Sequence, residues 1–381
     1  MKTVYLDNAA TTQIHEDVID AMTQVMKQSY GNASSTHSFG RSSKALIEKS
    51  RKAIASFFKV SAGEIVFTAG GTEADNLVLR SAVRDLHVEH IIISKIEHHA
   101  VLHTVEQLQT EYHISISYVN VDANGEIDYK HLEELLQNPK KTLVSLMHVN
   151  NEIGNILDIQ RVALLCKANK ALFHSDTVQS VGHYPLNLQE IPVDFIAASA
   201  HKFHGPKGVG FAFIRKNSGL KPLIFGGEQE RGLRAGTESV HNIVGIEKAL
   251  SIAHTTMESQ HAYVQDLKQH FVDGIKKEIP LATFNGHSGD IKKSTYTIVN
   301  VCLPVSAEHS AMLLFQLDLK GIACSKGSAC QSGSIQSSHV LAELLSETDL
   351  QKPSIRFSFS TYNTKEEIDF VIEQLKTLIV A

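Results

Sequence analysis

From about residue 15 to residue 255 the chain alternates short apolar runs with longer helix-patterned stretches, and this alternation restricts the fold more than any other feature. The candidate strands are Glu64 to Thr68, His90 to Ser94, Leu143 to Met147, Ala171 to His174, Asp194 to Ser199 and Val209 to Ile214. Each is continuously apolar instead of alternating, which suits strands covered on both faces. The expected fold is therefore α/β, with a mostly parallel, doubly wound sheet flanked by helices. Ligands of such sheets bind at the carboxyl ends of the strands.

At 381 residues one continuous core would be unusually large. The chain is expected to divide into a large domain over 13–256 and a smaller α/β domain built from 1–12 plus 257–381. A long polar helix, about His241 to Lys277, would lead into the second domain, and a helix from about Thr364 to Ala381 would close it. Within it, residues 325–339 hold six serines and two glycines in fifteen positions, too polar and permissive for core, and read as a mobile loop carrying Cys330.

Composition narrows the function. A net charge of −5 argues against direct nucleic-acid binding, which needs clustered Lys and Arg, and points to small substrates or protein partners. No apolar run approaches a membrane span, and the N-terminus enters a strand at once, so a cytoplasmic protein is expected. Cys166, Cys302, Cys324 and Cys330 are too few and scattered for a disulfide framework. A conspicuous cysteine then needs a chemical explanation.

Several strand ends carry chemistry. Lys202, in Ser199-Ala-His-Lys-Phe-His-Gly-Pro206, follows an apolar strand and precedes a turn, where an amine could meet a carbonyl cofactor as a Schiff base. Alone it would read as a solvated surface lysine. Gly71 and Thr72, in Thr68-Ala-Gly-Gly-Thr-Glu-Ala-Asp-Asn76, open a helix after a strand and could hold a phosphate, although a plain strand-to-helix turn looks similar. Asp176 ends another strand, where its carboxylate could pair with the protonated ring nitrogen of pyridoxal phosphate. His98 is placed to lie against an aromatic cofactor. His99 and His103 have the i,i+4 spacing of a metal pair but no evident third ligand, so no metal is expected. Asn151 faces the same sheet edge, although asparagines in such turns commonly bond their own backbone. Cys330 sits between Ala329 and Gln331, a poor setting for a buried apolar thiol, and a nucleophilic role would need a nearby cation or proton acceptor.

Taken in order, Tyr5-Leu-Asp-Asn-Ala-Ala-Thr-Thr12, Gly31 to His37, Phe67 to Asn76, Met147 to Gly154, His174 to Ser180, Ser199 to Lys202, Gly227 to Thr237, Gly327-Ser-Ala-Cys330 and Ser354 to Phe357 resemble the cysteine desulfurases. These are class V aminotransferase-family, fold-type-I pyridoxal 5'-phosphate enzymes. The Gly-Ser-Ala-Cys form in an extended loop is similar to the branch that supplies sulfur for iron–sulfur clusters and thiolated tRNA. The resemblance implies that Lys202 holds the cofactor and moves the Cα proton. It implies that Asp176 pairs with the ring nitrogen, Gln179 bonds the ring hydroxyl and His98 stacks on the ring. Gly71, Thr72, Ser199 and His201 would hold the phosphate, joined by Thr237 from the other subunit of a homodimer. Asn151 and Arg356 would bind the carboxylate of L-cysteine, and Cys330 would take its sulfur as a persulfide, leaving L-alanine. A protein sulfur acceptor, either an iron–sulfur scaffold or a sulfur carrier, is implied in turn.

The sequence departs from the related loops at Ser334-Ile-Gln-Ser337, where Ser-Leu-Glu-Pro is often found, and Cys324 stands six residues before Cys330. The rival readings are a selenocysteine lyase, an aminotransferase on the same fold, and a sulfur-carrier platform with slight turnover of its own.

Overall fold

The computed structural model describes residues 3–305, 307–327 and 338–380. The chain opens with β1 (Val4–Tyr5), α1 (Glu16–Gln28) and α2 (Ser38–Phe57). It continues through β2 (Ile65–Thr68), α3 (Gly71–Leu86), β3 (His90–Ile93), α4 (His99–Tyr112), β4 (Ser115–Tyr118), α5 (Tyr129–Leu135), β5 (Thr142–Ser145) and α6 (Ile159–Ala168). Then come β6 (Leu172–Asp176), β7 (Phe195–Ser199), β8 (Gly210–Ile214) and the long helix α7 (Val240–Glu278). The last part comprises β9 (Thr283–Phe284), β10 (Ile298–Cys302), α8 (Ala307–Leu319), β11 (Ile322–Ala323), α9 (His339–Leu344), α10 (Glu347–Leu350), β12 (Ser354–Ser358) and α11 (Lys365–Val380).

Strands β2 to β8 form one seven-stranded sheet in the order β2-β8-β7-β6-β5-β3-β4. Only β8 runs against its neighbours, pairing antiparallel with both β2 and β7. The other strands share one direction, so their carboxyl ends lie along one edge. The apolar runs are explained by burial on both faces: Ile196 and Ala198 of β7 enter one core, while Phe195 and Ala197 enter the other. All six strands expected from the sequence are present within two residues of their expected ends. β4 is the addition. Its Ser115-Ile-Ser-Tyr run is only partly buried at the sheet edge, so it lacks the apolar signature of the inner strands.

A second core gathers around the three-stranded sheet β12-β10-β9, with β1 and β11 paired in parallel beside it. α7 links the two regions as one helix. Its Ile243, Ile246, Ala249 and Leu250 join the first core, and its Val264, Leu267, Phe271 and Ile275 join the second, each set at the spacing of one helix face. Among the described residues, no helix is long and apolar enough to cross a membrane.

Candidate active site

Five strands deliver their carboxyl ends to one cleft. Gly71, Thr72, His98, Asn151, Asp176, Gln179, Ser199, His201, Lys202 and Arg356 all line it, together with Ala9, Ala10, Asp75, Met147, Val149 and Val178. Ten residues singled out in the sequence therefore meet in one place, although they span positions 71 to 356. Thr237 does not line this cleft; it is exposed on the surface. Cys330 lies outside the described residues, as does most of the 325–339 loop, and the described ends of that loop are anchored. Ser325 exchanges backbone hydrogen bonds with Arg356, and Ser338 caps α9 while its hydroxyl donates to Glu152.

Lys202 ends a short helical turn, Ala200–Lys202, directly after β7. The chain must reverse there to lay β8 back against β7, and His204 takes a left-handed φ of 63° before Gly205 and Pro206. That reversal throws the lysine side chain off the strand end into the cleft. Its Nζ donates to the carbonyls of Ala9 at 2.6 Å and Ala10 at 2.9 Å, and Gln179 Nε2 donates to Ala9 O at 2.9 Å. The segment after β1 thus forms a wall over the amine.

Asp176, the last residue of β6, is only 6% exposed and accepts a hydrogen bond from the Val178 amide at 2.9 Å. Burial, reinforced by the neighbouring Asp75 carboxylate, pushes it up to about 7, while the Val178 amide, His174 and Lys202 pull the other way. Asp75, on the inward face of α3, is pushed up to about 8 by burial, with His174 Nε2 at 3.3 Å. The carboxylate at the strand end is therefore short of positive charge. The sequence reading did not single out Asp75, whose only signal was its place one helical turn after Gly71 on the face that packs inward.

The turn between β2 and α3 is shaped for close approach. Gly70 takes φ 156°, and a Cβ on Gly71 would come within 2.5 Å of Val178 Cγ2. The first turn of a 16-residue helix is left facing the cleft beside Thr72, Ser199 and His201. Glu73, which would repel an anion there, is drawn aside by Arg234 at 2.9 Å and accepts from the Ala69 amide.

His98 caps α4, its Nδ1 accepting from the Ala100 amide at 3.1 Å, so the proton of the neutral ring sits on Nε2. Burial, then the charge of Lys202, brings its pKa down to about 4. His99 and His103 stack at 4.6 Å between ring centroids, and His339 packs on His99 at 4.4 Å. The two asparagines divide their work. Asn150 Oδ1 accepts from the amides of Glu152 and Ile153, while Asn151 lines the cleft. Arg356, in β12 and 1% exposed, donates to Asn151 O at 2.8 Å and pairs with Asp7 at 2.9 Å. Asp7 was not among the residues expected at the site.

These residues fit pyridoxal phosphate. A buried carboxylate with no ion pair among the described residues matches a protonated ring nitrogen. A helix N-terminus with two hydroxyls matches a phosphate, and a neutral imidazole lies beside the amine that would bind the carbonyl. Three donors or acceptors in the cleft wall, Asp75 Oδ1, His201 Nδ1 and Arg356 Nε, are buried without a hydrogen-bond partner among the described residues. Among the described cysteines none lines the cleft; burial pushes the thiols of Cys166 and Cys324 up, the latter to about 12.

A mostly parallel α/β sheet with this constellation at its carboxyl edge defines a pyridoxal-phosphate-dependent enzyme of fold type I. The chain belongs to the aminotransferase class-V family, which it matches over residues 4–371. It is 40% identical over 382 residues to the cysteine desulfurase IscS of Dictyoglomus turgidum, covering 99% of this chain and 94% of that one. A solved NifS-like protein superimposes with a TM-score of 0.90 at 34% identity, with 100% of both chains covered. A structure of SspA in complex with cysteine aligns with a TM-score of 0.82 at 30% identity, over 95% of this chain and 100% of that one.

Proposed function

We propose that this protein is a cysteine desulfurase that converts L-cysteine to L-alanine and passes the sulfur to its own Cys330 as a persulfide. The observation that carries the reading is the single cleft into which Lys202, Asp176 and Arg356 all project, in a chain whose relatives include named cysteine desulfurases. Pyridoxal phosphate, when bound, supplies an electron sink for the carbanion formed at the substrate Cα.

The chain's residues then have distinct tasks. Lys202, whose Nζ donates to the Ala9 and Ala10 carbonyls, would hold the cofactor and would take the proton from the substrate Cα. Asp176 stabilises positive charge on the ring nitrogen, and Gln179 bonds the ring hydroxyl. His98 would stack on the ring and, being neutral, would add no charge to oppose Lys202. Gly71, Thr72, Ser199 and His201 hold the phosphate. Asn151 and Arg356 receive the substrate carboxylate, with Arg356 offering a planar fork. To do so Arg356 exchanges part of its hold on Asp7 or Asn151 for the substrate. The thiolate of Cys330 attacks the substrate sulfur, the Cβ–S bond breaks, and its electron pair stays with the departing three-carbon unit, which is protonated to alanine.

The wider reading follows the same line. A homodimer is supported by Tyr30 and Phe225, which expose 74% and 76% of their surface, and by Thr237, which stands outside its own cleft. Division into 13–256 and 1–12 plus 257–381 is supported by the two separate cores on α7. A cytoplasmic location and a protein sulfur acceptor, for iron–sulfur clusters or tRNA thiolation, complete the proposal.

The test is to incubate the purified yellow protein with L-cysteine and a thiol reductant, quantifying alanine and sulfide, with Cys330→Ala alongside. Equal amounts of both products, abolished by the substitution, support the desulfurase. Products that survive the substitution would move the assignment to a selenocysteine-type lyase, and amino transfer to a keto acid would make it an aminotransferase.

A further inference from the structure

Behind Lys202, on the side away from the cleft, lies a half-buried histidine that none of the tasks above uses. His183 Nε2 is 3.1 Å from the backbone carbonyl of Lys202, and its Nδ1 is 2.8 Å from the Tyr296 hydroxyl. A carbonyl only accepts, so Nε2 carries the proton and donates to Lys202 O. Nδ1 is then the acceptor, and Tyr296 must be the donor. The direction of the whole chain is fixed: Tyr296 to His183 to the carbonyl of Lys202. Burial holds His183 neutral with a pKa near 4, which keeps that direction at any ordinary pH.

The two ends of this chain belong to different parts of the protein. His183 follows β6 in the large region, and Lys202 sits at the end of β7. Tyr296, 3% exposed, belongs to the second core, just before β10. It is held there from several sides. His261 of α7 packs on its ring at 4.3 Å and Tyr184 at 5.7 Å, while Tyr184 Oη donates to Thr295 Oγ1 at 2.9 Å. Lys268 of α7 donates to Ser294 Oγ and to Thr295 O, both at 2.7 Å. His204, on the far side of the Lys202 turn, and His261 are the titratable neighbours that face His183, and burial lowers the pKa of each. The hydroxyl of Tyr296 is therefore a fixed point relative to the small region.

We infer that His183 is a positioning residue: it ties the backbone of the cofactor lysine to Tyr296 of the small domain, so that the placement of Lys202 depends on how the two domains meet. The inference rests on the reading of Lys202 as the cofactor lysine. It assigns the His183–Tyr296 pair no contact with substrate. Its effect passes through the turn Ala200–Lys202, at whose end the carbonyl of Lys202 accepts from His183.

The experiment uses the full-length, cofactor-loaded protein with His183→Gln, His183→Leu, Tyr296→Phe and the double variant His183→Leu with Tyr296→Phe. Gln keeps one donor and one acceptor and can replace both bonds, whereas Leu fills the space with neither. Three quantities are read: the pH midpoint of the bound cofactor's visible absorption, kcat and KM for L-cysteine, and thermal melting. For Leu we expect a midpoint displaced by roughly half a pH unit or more and kcat down about tenfold with KM within about twofold. Gln should restore most of both. Tyr296→Phe should give a smaller change alone and none on top of Leu, because the chain is already broken.

An unchanged midpoint and kcat in a folded Leu variant would overturn the inference, as would a Gln variant as impaired as Leu. Should Leu fail to fold, Tyr296→Phe decides the matter by the same midpoint. Borohydride reduction followed by peptide mapping separates this inference from the reading beneath it. Cofactor fixed to Lys202 in a protein indifferent to His183 sinks only the positioning role; cofactor fixed elsewhere sinks the lysine assignment itself.

Discussion

Asp176 shows how one side chain can oppose stability without cofactor and serve binding with it. Its folded-state pKa of about 7 lies far above the ordinary carboxylate value, so the folded chain holds a proton that the unfolded chain has released. Stability from this group is greatest at low pH and is lost as pH rises from about 4 through about 7. The apo form of Asp176→Asn should therefore gain on the apo wild type across that window, at up to about 1.4 kcal/mol per pH unit, as read by urea melts at several pH values. In the presence of cofactor the order reverses, because an amide cannot hold the ring-nitrogen cation. Titration of the apo protein with pyridoxal phosphate should show Asp176→Asn binding at least tenfold more weakly. A parallel pH dependence in mutant and wild type would show that Asp176 is ionised throughout.

At the scale of elements, the site depends on turns that admit no extra atoms. Gly71→Ala places a methyl 2.5 Å from Val178 Cγ2, so the Val178 side chain must leave its rotamer or α3 and the 177–179 turn must separate. Such overpacking costs about 1–3 kcal/mol. Since both neighbours line the cleft, cofactor affinity should fall with the melting temperature, and a variant that melts lower yet binds cofactor as tightly would remove α3 from the phosphate seat. A second element-scale device lies on the loop that carries Thr237. Glu230 and Arg231 both have left-handed φ, of 46° and 59°, and Glu230 is held by Arg51 through two bonds of 2.6 and 2.8 Å and by the Phe67 amide at 2.8 Å. Removing one partner of so buried a pair leaves the other charge stranded. Glu230→Ala should lose about 3–5 kcal/mol in denaturant unfolding, more than Arg51 and Glu230 replaced together by apolar residues.

At the scale of the whole molecule, the position of Thr237 outside its own cleft makes subunit exchange informative. If the protein is the proposed homodimer and Thr237 serves the partner's cofactor, a mixture of Lys202→Ala and Thr237→Ala subunits contains, in each mixed dimer, one site with both residues intact. Alanine production should rise on mixing and refolding the two weak variants, and a mixture no better than its parents would place Thr237 in its own subunit. Much of this architecture was legible in the sequence. The apolar runs marked every inner strand, because burial on both sheet faces demands them, and the spacing of Gly71, Asp176 and Lys202 after strands placed them at one sheet edge. β4 escaped because a half-exposed edge strand carries no such signature. What the sequence by itself determined was that Gly71, Asp176 and Lys202 stand at the carboxyl edge of the sheet, since that follows from local strand and turn chemistry. Only the tertiary structure decided that Asp75 is buried beside Asp176, that Asp7 already grips Arg356, and that His183 reaches Lys202 from behind. Each joins residues distant in the chain, and neither periodicity nor spacing records such a meeting; it arises where strand ends and two cores are packed against one another.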